Sequence, residues 1–146
     1  MAGVFHLSEM LSLALHSMVY IATSDDEYIN VKQIAASTGA SEAHLSKVLQ
    51  RLSKGRIIHS VRGPRGGFAL ALPPEEISFL DIYEIIEGPA VIEGCPNHRK
   101  ACPFNNCIFK GIPEKMNRQF LDYLKQHRLS DFIDSRKKIS PDHQVV

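Results

Sequence analysis

Three cysteines, Cys95, Cys102 and Cys107, fall within thirteen residues of the polar, turn-forming stretch EGCPNHRKACPFNNC. Thiols held in such a loop are not core residues by default. At the spacing C-x6-C-x4-C their thiolates can wrap around a single soft metal centre. The spacing is neither that of the usual zinc fingers nor that of the common ferredoxin runs, so it leaves the metal open, a structural zinc included. Three thiolates leave one coordination position to be filled. His98 inside the loop is one candidate, and Glu9, Ser12 and His16 near the N-terminus are others, contributed by a second copy of the chain.

A second stretch, VRGPRGGFALAL at residues 61–72, carries different chemistry. Its glycines let a backbone bend and approach another surface closely, while Arg62 and Arg65 bring positive charge and planar donor forks suited to phosphate or base edges. The surrounding charge supports the same use. Between Ala43 and Pro74 there is no Asp or Glu, and Lys47, Arg51, Lys54, Arg56, Arg62 and Arg65 supply six cations. Subtracting these six from the net charge of +1 leaves −5 on the remainder. A cationic surface on an otherwise acidic chain points to a polyanion, with nucleic acid the commonest.

The elements that must position these groups follow from periodicity. Leu7, Leu11, Ala14, Leu15, Met18, Ile21 and Ala22 recur at helical spacing, predicting a first helix of about four turns that ends before Ser24. Glu9, Ser12 and His16 share its opposite stripe. Asn30 is an N-cap for a short helix with Val31, Ile34 and Ala35 buried, stopped by Gly39. Ser41 caps the next, from Ser41 to Ser53, with Leu45, Val48, Leu49 and Leu52 inside. Gly55 is expected to close it in a left-handed conformation. Helix, glycine turn and helix make a helix-turn-helix. Ile57, Ile58 and Val61, then Phe68, Leu70 and Leu72, predict two strands joined by Gly63-Pro64-Arg65-Gly66-Gly67, a hairpin that forms a wing. In that geometry the second helix enters a DNA major groove. His44, Ser46 and Lys47 then face base edges, Arg51, Lys54 and Arg56 suit phosphates, and Arg62 suits either.

Ser78 with Asp81 forms a capping box and Ile77 with Ile82 a hydrophobic staple, predicting a helix from Ser78 to about Glu87 that Gly88-Pro89 ends. Past the cysteines, Pro113 opens a helix with Ile112, Met116, Phe120, Tyr123 and Leu124 on one stripe, ending near His127. That stripe is long for one small domain and fits pairing with its twin in a homodimer. Leu129, Phe132 and Ile133 make a short packing segment.

The fold class expected is mainly α with a small β-hairpin wing: a winged helix-turn-helix followed by a long C-terminal dimerisation helix. The parts are residues 1–88 for DNA binding, 89–111 for the cysteine loop, 112–133 for dimerisation and packing, and 134–146 as a polar tail, in one compact unit. At 146 residues and 44% hydrophobic composition the chain is long enough for a real core. No run of eighteen apolar residues and no N-terminal leader stands in the sequence, so the expectation is a cytoplasmic protein that does not enter a membrane. No serine, histidine and carboxylate set and no phosphate-binding glycine motif marks an enzyme.

The stretches SVRGPRGGFALAL, GASEAHLSKVLQRLSKGRI, the three-cysteine loop and LSDFI together resemble the IscR/NsrR class of Rrf-type bacterial winged-helix regulators, over roughly Phe5 to Ile133. The resemblance implies a homodimer whose affinity for a double-stranded DNA operator is biased by the state of an iron–sulfur cluster. It implies that Ser41, Ala43, His44, Ser46, Lys47, Arg62 and Arg65 match DNA-contacting positions, and that Cys95, Cys102 and Cys107 match cluster ligands. Several relatives space their cysteines at equal intervals, whereas here the intervals are six and four. Two-iron and four-iron clusters therefore both stay open. No histidine follows Cys107 until His127, which shifts weight for the fourth ligand to the first helix, where Ser12 and His16 match positions used by cluster-binding relatives. Neutral imidazole makes His16 the better donor. A zinc-stapled DNA-binding protein, a metal-free regulator switched by a partner protein, and a small electron carrier are the alternatives.

Overall fold

The computed structural model describes residues 5–98 and 101–135; the expected polar tail lies, from residue 136 onward, outside the described residues. Five α-helices, an antiparallel hairpin and two 3-10 segments follow in chain order.

Helix α1, Glu9–Thr23, starts where the Ser8 hydroxyl accepts a hydrogen bond from Leu11 N at 2.9 Å. Its buried side is Leu11, Leu13, Ala14, Ser17, Met18 and Ile21. Leu7, expected on this stripe, precedes the helix and is exposed, while Leu13 takes a core position. Helix α2, Val31–Thr38, carries a full capping box. The Asn30 side chain accepts from Gln33 N, and the Gln33 side chain accepts from Asn30 N. Gly39 ends it at φ 71°, where a side chain would be strained.

Helix α3, Glu42–Lys54, buries Leu45, Val48, Leu49 and Leu52 and turns its polar residues outward. Its closing glycine corrects the expectation. Gly55 is right-handed at φ −73°, and the left-handed residue is Arg56 at φ 62°. Glycine at position 55 serves packing instead, because a Cβ there would overlap the Ile85 side chain.

Strands β1, Ile58–Val61, and β2, Gly67–Leu70, pair antiparallel with Ile58 opposite Leu70 and Val61 opposite Gly67. Leu72 lies past the strand and is exposed. A bridge absent from the sequence reading joins Ile29 to Phe68 through reciprocal hydrogen bonds of 2.9 and 2.8 Å. It fastens the wing to the segment entering α2. A Cβ on Gly67 would run into the Ile29 backbone, so glycine lets these two chains approach.

Helix α4, Phe79–Glu87, has the expected Ser78 and Asp81 capping box, with Ile77 and Ile82 both buried. Helix α5, Ile112–Gln126, begins with proline in its first turn. Of its apolar stripe only Leu124 is buried; Ile112, Met116 and Tyr123 stay exposed. The final 3-10 segment, Leu129–Ser135, packs against α1. There Leu129 is fully buried and Phe132 stacks on Phe79 at 5.1 Å. One core formed by α1 to α4 with Leu124 and Leu129 thus holds α3 and the wing in place. Among the described residues no helix is long and apolar enough to cross a membrane.

Candidate nucleic-acid interface and cysteine loop

The outward side of α3 and the hairpin tip carry the cationic residues. Ser41 accepts from His44 N at 3.2 Å, which fixes the start of α3. Ser41, Ala43 and Lys47 are exposed, and His44 and Ser46 are half-buried. The Ser46 hydroxyl donates to the Glu42 carbonyl at 2.7 Å, leaving its oxygen free only to accept. His44 Nδ1 stands 3.6 Å from Glu9 Oε1, so the first residue of α1 meets the first turns of α3. Arg51 donates from Nη1 to the Ile86 carbonyl at 3.1 Å, tying part of its guanidinium to the end of α4. At the wing, Gly66 N donates to Gly63 O at 3.0 Å, and both Arg62 and Arg65 are exposed on the loop that this turn makes.

The cysteine loop leaves α4 through Gly88 and is pinned before it reaches its first thiol. Ala90 N donates to Glu84 Oε1 at 3.2 Å, and the Asn117 amide donates to the Glu93 carbonyl at 3.0 Å, so α4 and α5 each hold one end of residues 90–93. Cys95, Cys102 and Cys107 are all free and exposed. Hydrogen bonds from the backbone N–H of Phe109, then Lys110 and Gly111, outweigh slight desolvation and hold the Cys107 thiol below its ordinary value. Among the described residues no three His, Cys, Asp or Glu side chains come together as a metal-ligand set.

The four candidates for a further ligand differ in what they already touch. His98 Nε2 stands 3.6 Å from Glu93 Oε2, and Glu9 faces His44. Ser12 is half-buried. His16 is exposed, and its Nδ1 lies 2.7 Å from the Ser12 carbonyl. A carbonyl only accepts, so Nδ1 donates, and in the neutral ring that leaves the lone pair on Nε2. Sequence reasoning missed the Glu9 and His44 pair, the Arg51 bond and the Asn117 clamp. The last two end on backbone carbonyls, which no residue type encodes. The first was readable only as an acid at a helix start.

The family model described as "Iron-dependent Transcriptional regulator" (Rrf2) matches residues 7–135. The HTH-type transcriptional regulator NsrR of Bacillus licheniformis is 30% identical over 140 residues, covering 91% of this chain and 95% of its own. The solved structure of T. potens IscR superposes with a TM-score of 0.72 at 24% identity, over 92% of this chain and 90% of that one. The global cysteine regulator CymR of B. subtilis superposes at 0.73 and 20% identity, over 92% and 100%. A match over so much of the chain, on a winged helix-turn-helix with its cationic face outward, establishes that this protein belongs to the Rrf2 family of DNA-binding transcriptional regulators and is not an enzyme.

Proposed function

We propose that the protein is a homodimeric regulator whose affinity for a duplex operator is set by an iron–sulfur cluster. Residues 1–88 bind DNA, 89–111 hold the cluster, and 112–133 join two copies. The observation that carries this reading is the cysteine loop: three free, exposed thiols directly downstream of α4, one of them held toward the thiolate by backbone N–H groups. The thiolate is the form that binds a metal. Soft thiolates with an imidazole make a donor set that fits such a cluster. Cys95, Cys102 and Cys107 would be its ligands, with His16 from a second copy as the fourth. A cluster bound there would supply a centre responsive to redox state, nitric oxide or iron supply.

DNA binding follows from this chain's own groups. Helix α3 lies in the major groove with Ser41, Ala43, His44, Ser46 and Lys47 toward the bases, and Arg62 and Arg65 take the wing to the adjoining groove or phosphates. Two copies present two such units to two half-sites, which the exposed stripe Ile112, Met116 and Tyr123 would bring together on α5. A coupling between loop and DNA of about 1–3 kcal/mol changes operator affinity roughly 5–150-fold, enough to regulate a promoter.

Anaerobic purification followed by the visible spectrum and by iron, acid-labile sulfide and zinc analysis tests the reading. Broad thiolate-to-iron absorption with matched iron and sulfide supports it. A colourless protein with about one zinc per chain, unfolding on chelation, overturns it in favour of a structural site. A metal-free, folded, DNA-binding dimer moves the signal to a partner or to the thiols, a second reading supported by the thiolate character of Cys107.

A further inference from the structure

Three parts of the molecule meet at the last turn of α4. At any helix C-terminus the final carbonyls lack partners further along their own helix. Here Gly88 N donates to the Glu84 carbonyl at 3.0 Å, and the Ile86 carbonyl takes the Arg51 guanidinium at 3.1 Å. A cation at the negative end of a helix is favourably placed. The Glu84 carboxylate accepts from Ala90 N, so the cysteine loop hangs from that same turn. Ile85 abuts Gly55, the residue that closes α3, with no room for a Cβ between them. The end of α4 therefore touches the close of α3 through Ile85 and Arg51, and holds the start of the cysteine loop through Glu84.

Arg51 sits in the last turn of α3, and the base-reading side chains occupy the first two turns of that rigid helix. We infer that Arg51 is a positioning residue, the strut that carries displacement of the cysteine loop through the end of α4 to the recognition helix, and that it does not contact a DNA phosphate. The inference rests on the sensing reading for its physiological signal, but the coupling it asserts holds for any event that moves the loop. Thermodynamic reciprocity then requires DNA on α3 to be felt in the loop.

The experiment is hydrogen-exchange mass spectrometry on the full-length, reduced, metal-free protein, wild type and Arg51→Met, with and without a DNA duplex selected by the wild type from a random pool. The slope of log affinity against log salt is measured alongside. DNA is expected to slow exchange in peptides covering residues 88–98 by roughly 5-fold in the wild type, the lower end of ordinary coupling. In Arg51→Met the loop response falls below about 2-fold while the salt slope keeps its wild-type value. A slope lowered by about 1 per lost phosphate contact overturns the inference. So does a loop response that survives the substitution, or a wild-type loop that ignores DNA. If the methionine variant does not fold by circular dichroism, Arg51→Lys decides. Its ammonium keeps the charge on a shorter stem, so a lost response supports the strut and a wild-type response overturns it. The iron and sulfide content of the wild type, which none of these readouts uses, separately decides the sensing reading.

Discussion

The backbone N–H groups of Phe109, then Lys110 and Gly111, favour the ionised form of Cys107 and lower its pKa from the ordinary thiol value. Its folded pKa is thus the lower one. The ionised form's contribution to stability is then present above the ordinary thiol pKa and fades as pH falls through the lowered value. In the reduced, metal-free protein, iodoacetamide should modify Cys107 fastest near neutral pH, because the gain in thiolate fraction exceeds the loss in intrinsic nucleophilicity. The advantage should vanish at a pH where all three thiols are ionised. Residue-resolved alkylation rates by mass spectrometry check this, and equal rates at neutral pH would refute it. Lys47 and Arg65 face solvent with no neighbouring acid in sequence between Ala43 and Pro74. Replacing either by Ala should weaken binding, and for a phosphate contact should lower the salt slope by about 1, as read by fluorescence anisotropy over a salt series. Ser17 is fully buried in α1 with its hydroxyl unpartnered. Ser17→Ala removes that desolvated group and improves helix propensity, so it should stabilise the fold by about 1 kcal/mol in urea titration.

Among the elements, α3 is fixed from both ends: by Ser41 at its start, and by Gly55 against Ile85 and Arg51 against Ile86 at its finish. Gly55→Ala adds one methyl where Ile85 already sits, and overpacking of this kind costs about 1–3 kcal/mol. Ile85→Val in the same chain should recover part of that loss, a non-additivity that chemical denaturation of the four proteins in the cycle would reveal. The wing depends on a contact at longer range. Its tip is exposed, but its root is held by the Ile29 and Phe68 bridge and by His59 set edge-on to Tyr28 at 6.0 Å. The arginines therefore ride on a hairpin anchored to the body of the protein.

At the scale of the whole molecule, α5 leaves much of its apolar stripe uncovered. Ile112 is 53% exposed, Met116 43% and Tyr123 45%, and Phe5 adds a ring against Phe120 at 5.5 Å. An exposed apolar stripe of this kind is the surface that the proposed pairing of two copies would cover. Met116→Glu should halve the mass measured by light scattering and weaken operator binding steeply while leaving the far-ultraviolet circular dichroism unchanged. A dimer that survives this charge would place the subunit contact elsewhere.

Local chemistry was enough to read most of the elements from the sequence. Asn30, Ser41 and Ser78 are caps by virtue of their own side chains, and the stripe Leu45, Val48, Leu49 and Leu52 declares a buried face by its period alone. The cysteine spacing and the cationic run from Lys47 to Arg65 were equally legible, because both lie within short stretches of chain. Gly55 shows where local reading ends: a glycine after a helix looks like a left-handed cap, yet its use is set by Ile85, thirty residues away. Nothing in the sequence around Arg51 signals that one of its N–H groups is taken by the Ile86 carbonyl, and nothing around Ile29 signals its pairing with Phe68. In each case the deciding partner is distant in sequence or is a backbone group with no residue-specific signature. Composition and periodicity thus determined the elements and the chemistry available on them, while only packing decided which of those groups are held by the protein itself and which remain free for a ligand.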